Sequence, residues 1–186
     1  LPMPTFMVLQ TGTKVQELRN VGSFDSRLPV SGMIPSSVQM PAMLEMCLRN
    51  EVFLKEHNAD YLSDQALAWH RRYGIHASNV APEFGTTETR AYLDLAKEIG
   101  YEQFTLSFSE IVLKGGKFEK WLLKDSKATE NEKVLMAGHY HFSDPQIKEL
   151  IQTLNEYSQK KGIDMITYVR QRVSFAMRRY LVRFGY

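Results

Sequence analysis

One cysteine, Cys47, stands in a chain of 186 residues, so no internal disulfide framework exists. That fits a reducing compartment, and a cytoplasmic location is the expectation. No apolar run reaches the roughly 20 residues that a membrane helix needs. Charge of one sign is also lacking. The 23 basic and 21 acidic side chains leave a net charge of +2. That excludes a strong global electrostatic pull toward nucleic acid or an anionic membrane, and neither is expected as a partner. Position 1 is leucine rather than an initiator methionine, and no charged, apolar leader pattern follows it. The chain runs as a strand within a few residues, so an N-terminal part with further strands is expected to precede it.

What is present is an ordinary globular mixture, 44% hydrophobic and 24% charged. Phe6, Met7, Val8 and Leu9 form a continuous apolar run, which predicts a strand buried on both faces. A glycine- and proline-rich loop over residues 11–37 follows. Apolar spacing then predicts a helix over 37–50, with Pro41 in its first turn. Residues 51–57 read as a second strand. Ser63 or Asp64 caps a helix that Gly74 stops. Residues 75–80 read as a third strand, and Thr86 or Thr87 caps a helix that Gly100 stops. Strand and helix alternate three times, which predicts parallel strands joined by right-handed crossovers, an α/β architecture. Three units alone leave two open sheet edges.

The second half is helical in pattern. Ser143 with Gln146 reads as a capping box, and Asp164 caps a last helix from Met165 to about Phe184. The expected organisation is three β/α units over 1–100 and a helical region over 101–186 packed on them. In that last helix five arginines, Arg170, Arg172, Arg178, Arg179 and Arg183, read as the solvated side. Phe175, Met177 and Leu181 are among the residues expected to dock it on the body.

In parallel α/β sheets ligands lie at the carboxyl ends of the strands. Three segments therefore share a rim: residues 10–14, 56–61 and 79–84. His57 is the leading candidate there, as a ligand for a divalent metal or an acid–base group. Its plain alternative is a polar strand end that hydrogen-bonds its loop. Glu56 points away from His57 if the strand alternates. Asp60 is equally a turn former, Lys14 a solvated lysine or a holder of a phosphate oxygen, and Glu83 a rim carboxylate or an exposed acid. His139 and His141 share a face if that stretch is extended, a weak zinc signal without a third ligand. Cys47 reads as inert core.

Together these segments resemble the family of the non-catalytic subunit of class II D-tagatose-1,6-bisphosphate aldolase. Residues 6–13 resemble the family's strand ending in Gln-Pro-Gly, with Gln10 and Gly12 kept and Thr11 in the proline place. Residues 56–61 resemble its Ala-His-Ser-Thr-Asp-Tyr segment, keeping His57, Asp60 and Tyr61. Val80-Ala81-Pro82 resembles Val-Gly-Pro, and residues 139–144 resemble His-Tyr-Ser-Phe-Ser-Asp. Asn79 departs from the lysine that many members carry, and Lys55 from an acid.

The resemblance implies the C-terminal part of a (β/α)8 TIM-type barrel with a helical extension, acting in ketose phosphate metabolism. It implies a stabilising subunit partnered by a catalytic class II aldolase chain, and a homo-oligomer. A metal-dependent ketose-phosphate epimerase and a non-enzymatic sugar-phosphate binder are the alternatives. In this reading Gln10, Lys14, Tyr61 and Asn79 contact the sugar phosphate. His57 holds a divalent ion (Mn, Co or Zn), and Asp60 and Glu83 move protons.

Overall fold

The computed structural model describes residues 4–25 and 32–186. The chain divides into two compact units. The first comprises residues 1–81 and 179–186, and the second residues 82–178. The boundary expected at residue 100 therefore falls inside the second unit.

The first unit is built on three parallel strands in the order β1–β4–β5: Phe6–Leu9, Phe53–Glu56 and Ala77–Ser78. Leu9 is in register with Glu56, and Glu56 with Ser78, so the three strands end at one level. The α/β class expected from the alternation is what forms. No closed barrel is seen among the described residues. A two-residue hairpin, β2 (Val15–Gln16) and β3 (Arg19–Asn20), rises out of the stretch read as loop. Glu17 and Leu18 make its turn with φ of 48° and 61°, the left-handed pair that a tight primed turn demands. Part of that expected loop, residues 26–31, lies outside the described residues.

Helix α1 (Ser36–Arg49) follows, with Pro41 inside it. It buries Met40 and Cys47 with Val52 and Leu54, and Met7 and Leu9 pack against them. Cys47 is core, as its apolar surroundings predict. Helix α2 (Asp64–Tyr73) has the expected ends. The Ser63 hydroxyl accepts the Ala66 N–H at 3.1 Å, and Gly74 turns left-handed with φ 77°.

Among the described residues only one face of the sheet is covered. Met7, Leu9, Leu54 and Glu56 alternate with Phe6, Val8, Phe53 and Lys55. Phe6 is 41%, Phe53 52% and Val8 55% exposed. The run of apolar residues that predicts a strand buried on both faces is thus half-covered here. Phe6 and Phe53 meet across the bare face, their rings 5.9 Å apart.

The second unit is helical: α3 (Pro82–Glu98), α4 (Glu102–Gly115), α5 (Glu130–Ala137), α6 (Pro145–Lys160) and the larger part of α7 (Met165–Phe184). Its core gathers Leu95, Phe104, Phe108, Val112, Ile147 and Leu154, all fully buried. Thr86 and Thr87 do not cap α3, which begins four residues earlier. Pro82 opens the helix, where its missing N–H costs nothing and its φ is already helical. Thr87 instead donates its hydroxyl to the Glu83 carbonyl at 2.7 Å. Ser143 likewise fails as a cap: Asp144 holds that position before Pro145. Its carboxylate is 2.6 Å from His141 Nδ1 rather than on the helix N–H groups. The charged connector ends in a capping box that sequence reading overlooked, Thr129 with Glu132, which starts α5. Asp164 caps α7 as expected, accepting the Ile166 and Thr167 N–H groups at 2.9 and 3.1 Å.

Candidate functional site

Gln10, His57 and Asn79 are the first residues after β1, β4 and β5. The ladder continues through them: His57 N–H donates to the Leu9 carbonyl at 2.7 Å and Asn79 N–H to the Glu56 carbonyl at 2.8 Å. By alternation their side chains fall with Val8, Lys55 and Ala77, on the bare face. His57 and Gln10 are exposed and Asn79 is half-buried. Three polar side chains therefore line the carboxyl edge of an uncovered apolar sheet face.

Beneath them, on the covered face, Glu56 is fully buried. Its Oε1 accepts the Thr11 N–H at 2.8 Å, and its Oε2 accepts the Thr11 hydroxyl. The Thr13 hydroxyl lies 2.8 Å from Oε1 and 2.5 Å from the His57 carbonyl oxygen, so its one hydrogen serves one of the two. Burial pushes the Glu56 carboxyl above the usual carboxylate range; the Thr11 and Thr13 hydrogen bonds and nearby His57 pull it back only in part. The arrangement ties the exit of β1 to the end of β4 and fixes where Gln10 and His57 emerge.

Glycine makes the exit of β1 compact. Gly12 has φ 104°, and a Cβ on Gly22 would fall 2.0 Å from the Gly12 carbonyl oxygen. Two backbones meet there, and no side chain fits between them. Gln10 turns back in this tight corner, its side-chain amide donating to the Thr13 carbonyl.

The loop after His57 is held from two directions. The Asn20 amide donates to the carbonyls of Asn58 and Asp60, each at 2.9 Å. Its own oxygen accepts the N–H groups of Lys14 and Gly22 at 3.1 and 3.3 Å. Asn20 thus uses all of its hydrogen-bonding capacity to clamp the hairpin onto the loop. Asp60 is buried, and its Oδ1 accepts the Ala81 N–H at 2.8 Å. The Tyr61 N–H donates to the Tyr180 hydroxyl at 3.2 Å, with Tyr61 at φ 59° and Asn58 at φ 56°. Asp60 therefore ties its loop to the chain leaving β5. Lys14 is exposed beside the hairpin. Glu83 lies in the first turn of α3, in the second unit, rather than in a rim loop.

The structure thus brings Gln10, His57 and Asn79 to one edge, with Asp60 and Tyr61 in the loop behind them. Sequence reading missed Thr11, Thr13 and Asn20. The available signal was an acid, Glu56, on the same face of its strand as apolar Leu54, which requires donors nearby. No group of three His, Cys, Asp or Glu comes together among the described residues. One imidazole is too small a donor set for Mn, Co or Zn. The His139 and His141 pair fares no better, because the stretch is a 3-10 turn (Gly138–His141) rather than extended. A Cβ on Gly85 would meet the His139 ring at 2.5 Å, and one on Gly115 the His141 ring at 2.2 Å. The two imidazoles occupy separate niches, one on α3 and one on α4. Burial, with Lys120 nearby, lowers the His139 pKa to about 4.

No protein-family model matches the chain, and comparison with curated proteins finds no match. Among solved structures it is similar to that of a probable tagatose 6 phosphate kinase from Sinorhizobium meliloti 1021, at a TM-score of 0.70 and 13% identity. The likeness covers 96% of this chain and 52% of that one, so the chain spans about half the length of that neighbour. At this identity the likeness establishes the fold. No helix among the described residues is long and apolar enough to cross a membrane.

Proposed function

We propose that this chain is half of a (β/α)8-type barrel of tagatose-related carbohydrate metabolism, and that it binds a ketose phosphate as a stabilising, non-catalytic subunit. One observation carries the reading. A parallel sheet leaves one apolar face bare, with Gln10, His57 and Asn79 at its carboxyl edge. That is how the inner wall of a barrel half presents itself, with its ligand at the strand ends. The neighbour, a probable tagatose 6 phosphate kinase, supports the same area of metabolism. Its extra length leaves room for the strands that would cover the bare face.

In this reading the side chains of Gln10, His57 and Asn79 hydrogen-bond sugar hydroxyls and Lys14 draws in the phosphate. Tyr61 packs at the loop behind. The buried carboxylates support this arrangement over the epimerase alternative: Glu56 receives its threonines and Asp60 the Ala81 N–H, so both are engaged in holding loops. A metal-dependent epimerase would need further ligands, beyond the described residues, to join His57, and a proton path through Asp60 or Glu83. The partner would be a catalytic class II aldolase chain.

Calorimetric titration of the chain with tagatose 6-phosphate and tagatose 1,6-bisphosphate, with and without Mn²⁺, tests the proposal. Binding without turnover is expected, weakened about tenfold by His57→Ala, the loss of one well-placed hydrogen bond to a charged or polar ligand. Metal-dependent interconversion of the sugar phosphate would replace the proposal with the epimerase. No binding of either sugar would overturn it.

A further inference from the structure

Arg170, Arg172, Arg178 and Arg183 of α7 are exposed, as expected, but the apolar docking side forms only in part. Phe175, Met177 and Leu181, expected to dock α7 on the body, are 78%, 45% and 51% exposed. Phe175 stands between two hollows, of about 330 and 370 Å³, that flank it along the helix. Arg170 and Arg178 line one hollow. Arg90 and Arg172 line the other, together with Asp94. Phe175 and the residues lining both hollows belong to the second unit.

Four guanidinium groups thus surround one bare aromatic ring. Against them stand Asp94 in the hollow and Asp164, whose carboxyl is held below its usual range by hydrogen bonds from the Thr167 N–H and hydroxyl and, in smaller part, by Arg170. Arg172 lies 3.5 Å over the Tyr168 ring. Among the described residues Arg90 and Arg178 have no ion-pair partner. Solvated arginines need no ligand, but a phenylalanine this exposed is not explained by solvation. Aromatic residues and arginine are the types enriched where proteins meet.

We propose that this face of α7, centred on Phe175, docks an acidic segment of another protein. The segment lays an apolar side chain against Phe175 and sets carboxylates against Arg90, Arg170 and Arg178. Planar guanidinium groups match carboxylates in pairs of hydrogen bonds. A second copy of the same face would set arginine against arginine, which disfavours a symmetric pair. A lipid surface would need a broad apolar stripe. Met177 instead lies about 160° around the helix axis from Phe175, and Ser174 and Gln171 occupy the strip between arginines. The proposal is independent of the ligand edge of the sheet.

The test is fluorescence anisotropy of the full chain with a short labelled peptide of Glu and Leu around one central Trp. Saturable binding that weakens as salt is raised is expected. Phe175→Ser, and separately Arg170→Glu combined with Arg178→Glu, should each weaken it about tenfold without moving the thermal midpoint. All three substitutions lie on exposed positions, so the fold is kept. Absence of binding, or equal binding by the variants, overturns the proposal. So does preferential co-sedimentation with phosphatidylserine vesicles, or a dimer of this chain that Phe175→Ser converts to monomer.

Discussion

In the second unit the fully buried large side chains are Phe104, Phe108, Leu95, Val112, Ile147 and Leu154, an apolar set drawn from α3, α4 and α6. In the first unit Glu56, Asp60 and His70 are as buried as Leu54, Leu62 and Leu67. Five helices with apolar stripes can close a dry core by themselves. A three-stranded sheet with a helix on one side cannot, so polar ties supplement the packing and one face stays bare. The difference shows where side-chain hydrogen bonds do the holding. The unit that spends its buried positions on hydrogen-bonded acids is the one whose loops must be held in a defined shape.

The largest effect is therefore expected in the second unit. Phe108 is fully buried and its ring lies 5.6 Å from that of Phe104. Phe108→Ala removes a ring from a closed apolar core and should destabilise the protein by about 4 kcal/mol. Urea unfolding followed by hydrogen exchange should show protection lost across α3 to α6. A loss below about 1 kcal/mol would mean that this core is loosely packed and that the contrast between the units is false.

The next effect singles out the first unit and depends on pH. His70 is 1% exposed, its Nδ1 is 3.0 Å from the Ser78 hydroxyl, and burial lowers its pKa to about 4. Phe24 lies edge-on at 4.5 Å and Phe184 stacks at 6.0 Å. The unfolded chain takes up a proton near pH 6.5 while the folded chain does not until about pH 4. Stability is thus whole above about pH 6.5 and falls as pH drops toward 4, by about 3 kcal/mol for this one group. Glu56 works in the opposite direction, since its raised pKa makes the folded state relatively more favourable in acid. His139 adds to the His70 trend from the second unit. The measurement is the difference between wild type and His70→Phe in urea at pH 7 and pH 4.5. The wild type should lose more on acidification; equal losses would mean that His70 titrates normally.

Local signals made parts of this fold legible. Ser63 and Gly74 bound α2 because a hydroxyl cap and a left-handed glycine act within one turn. Asp164 did the same for α7. Two failures were decided by a competing residue close in sequence. Asp144 took the cap from Ser143, and its carboxylate turned to His141. Pro82 started α3 ahead of the threonines. At the candidate site His57, Gln10 and Asn79 could be placed on one edge from strand ends alone. The ties that hold them could not: Thr11 and Thr13 lie 45 and 43 residues from Glu56. Asn20 reaches the loop of Asp60 from 40 residues away. Nothing in local spacing announces such contacts. The exposure of Phe175 was hidden for the same reason, because helical periodicity says which residues share a face and not whether anything covers it.

The smallest effect is the sharpest comparison. Phe53 is 52% exposed on the bare sheet face, beside Phe6 at 5.9 Å and the His76 ring at 4.8 Å. Phe53→Ser leaves Leu54 and the α1 cluster untouched, so in this chain it should change stability by no more than about 0.5 kcal/mol. It should also make the protein more soluble, since it removes one of a row of exposed apolar side chains. The result changes if other strands cover that face. In a longer protein with the sheet closed, the same substitution buries a hydroxyl where a ring was packed, and the cost should rise to about 3 kcal/mol. Measuring Phe53→Ser in both lengths of chain therefore reads directly whether the bare face is an inner barrel wall. Equal small effects in both would leave the sheet open and remove the argument for a ligand at its edge.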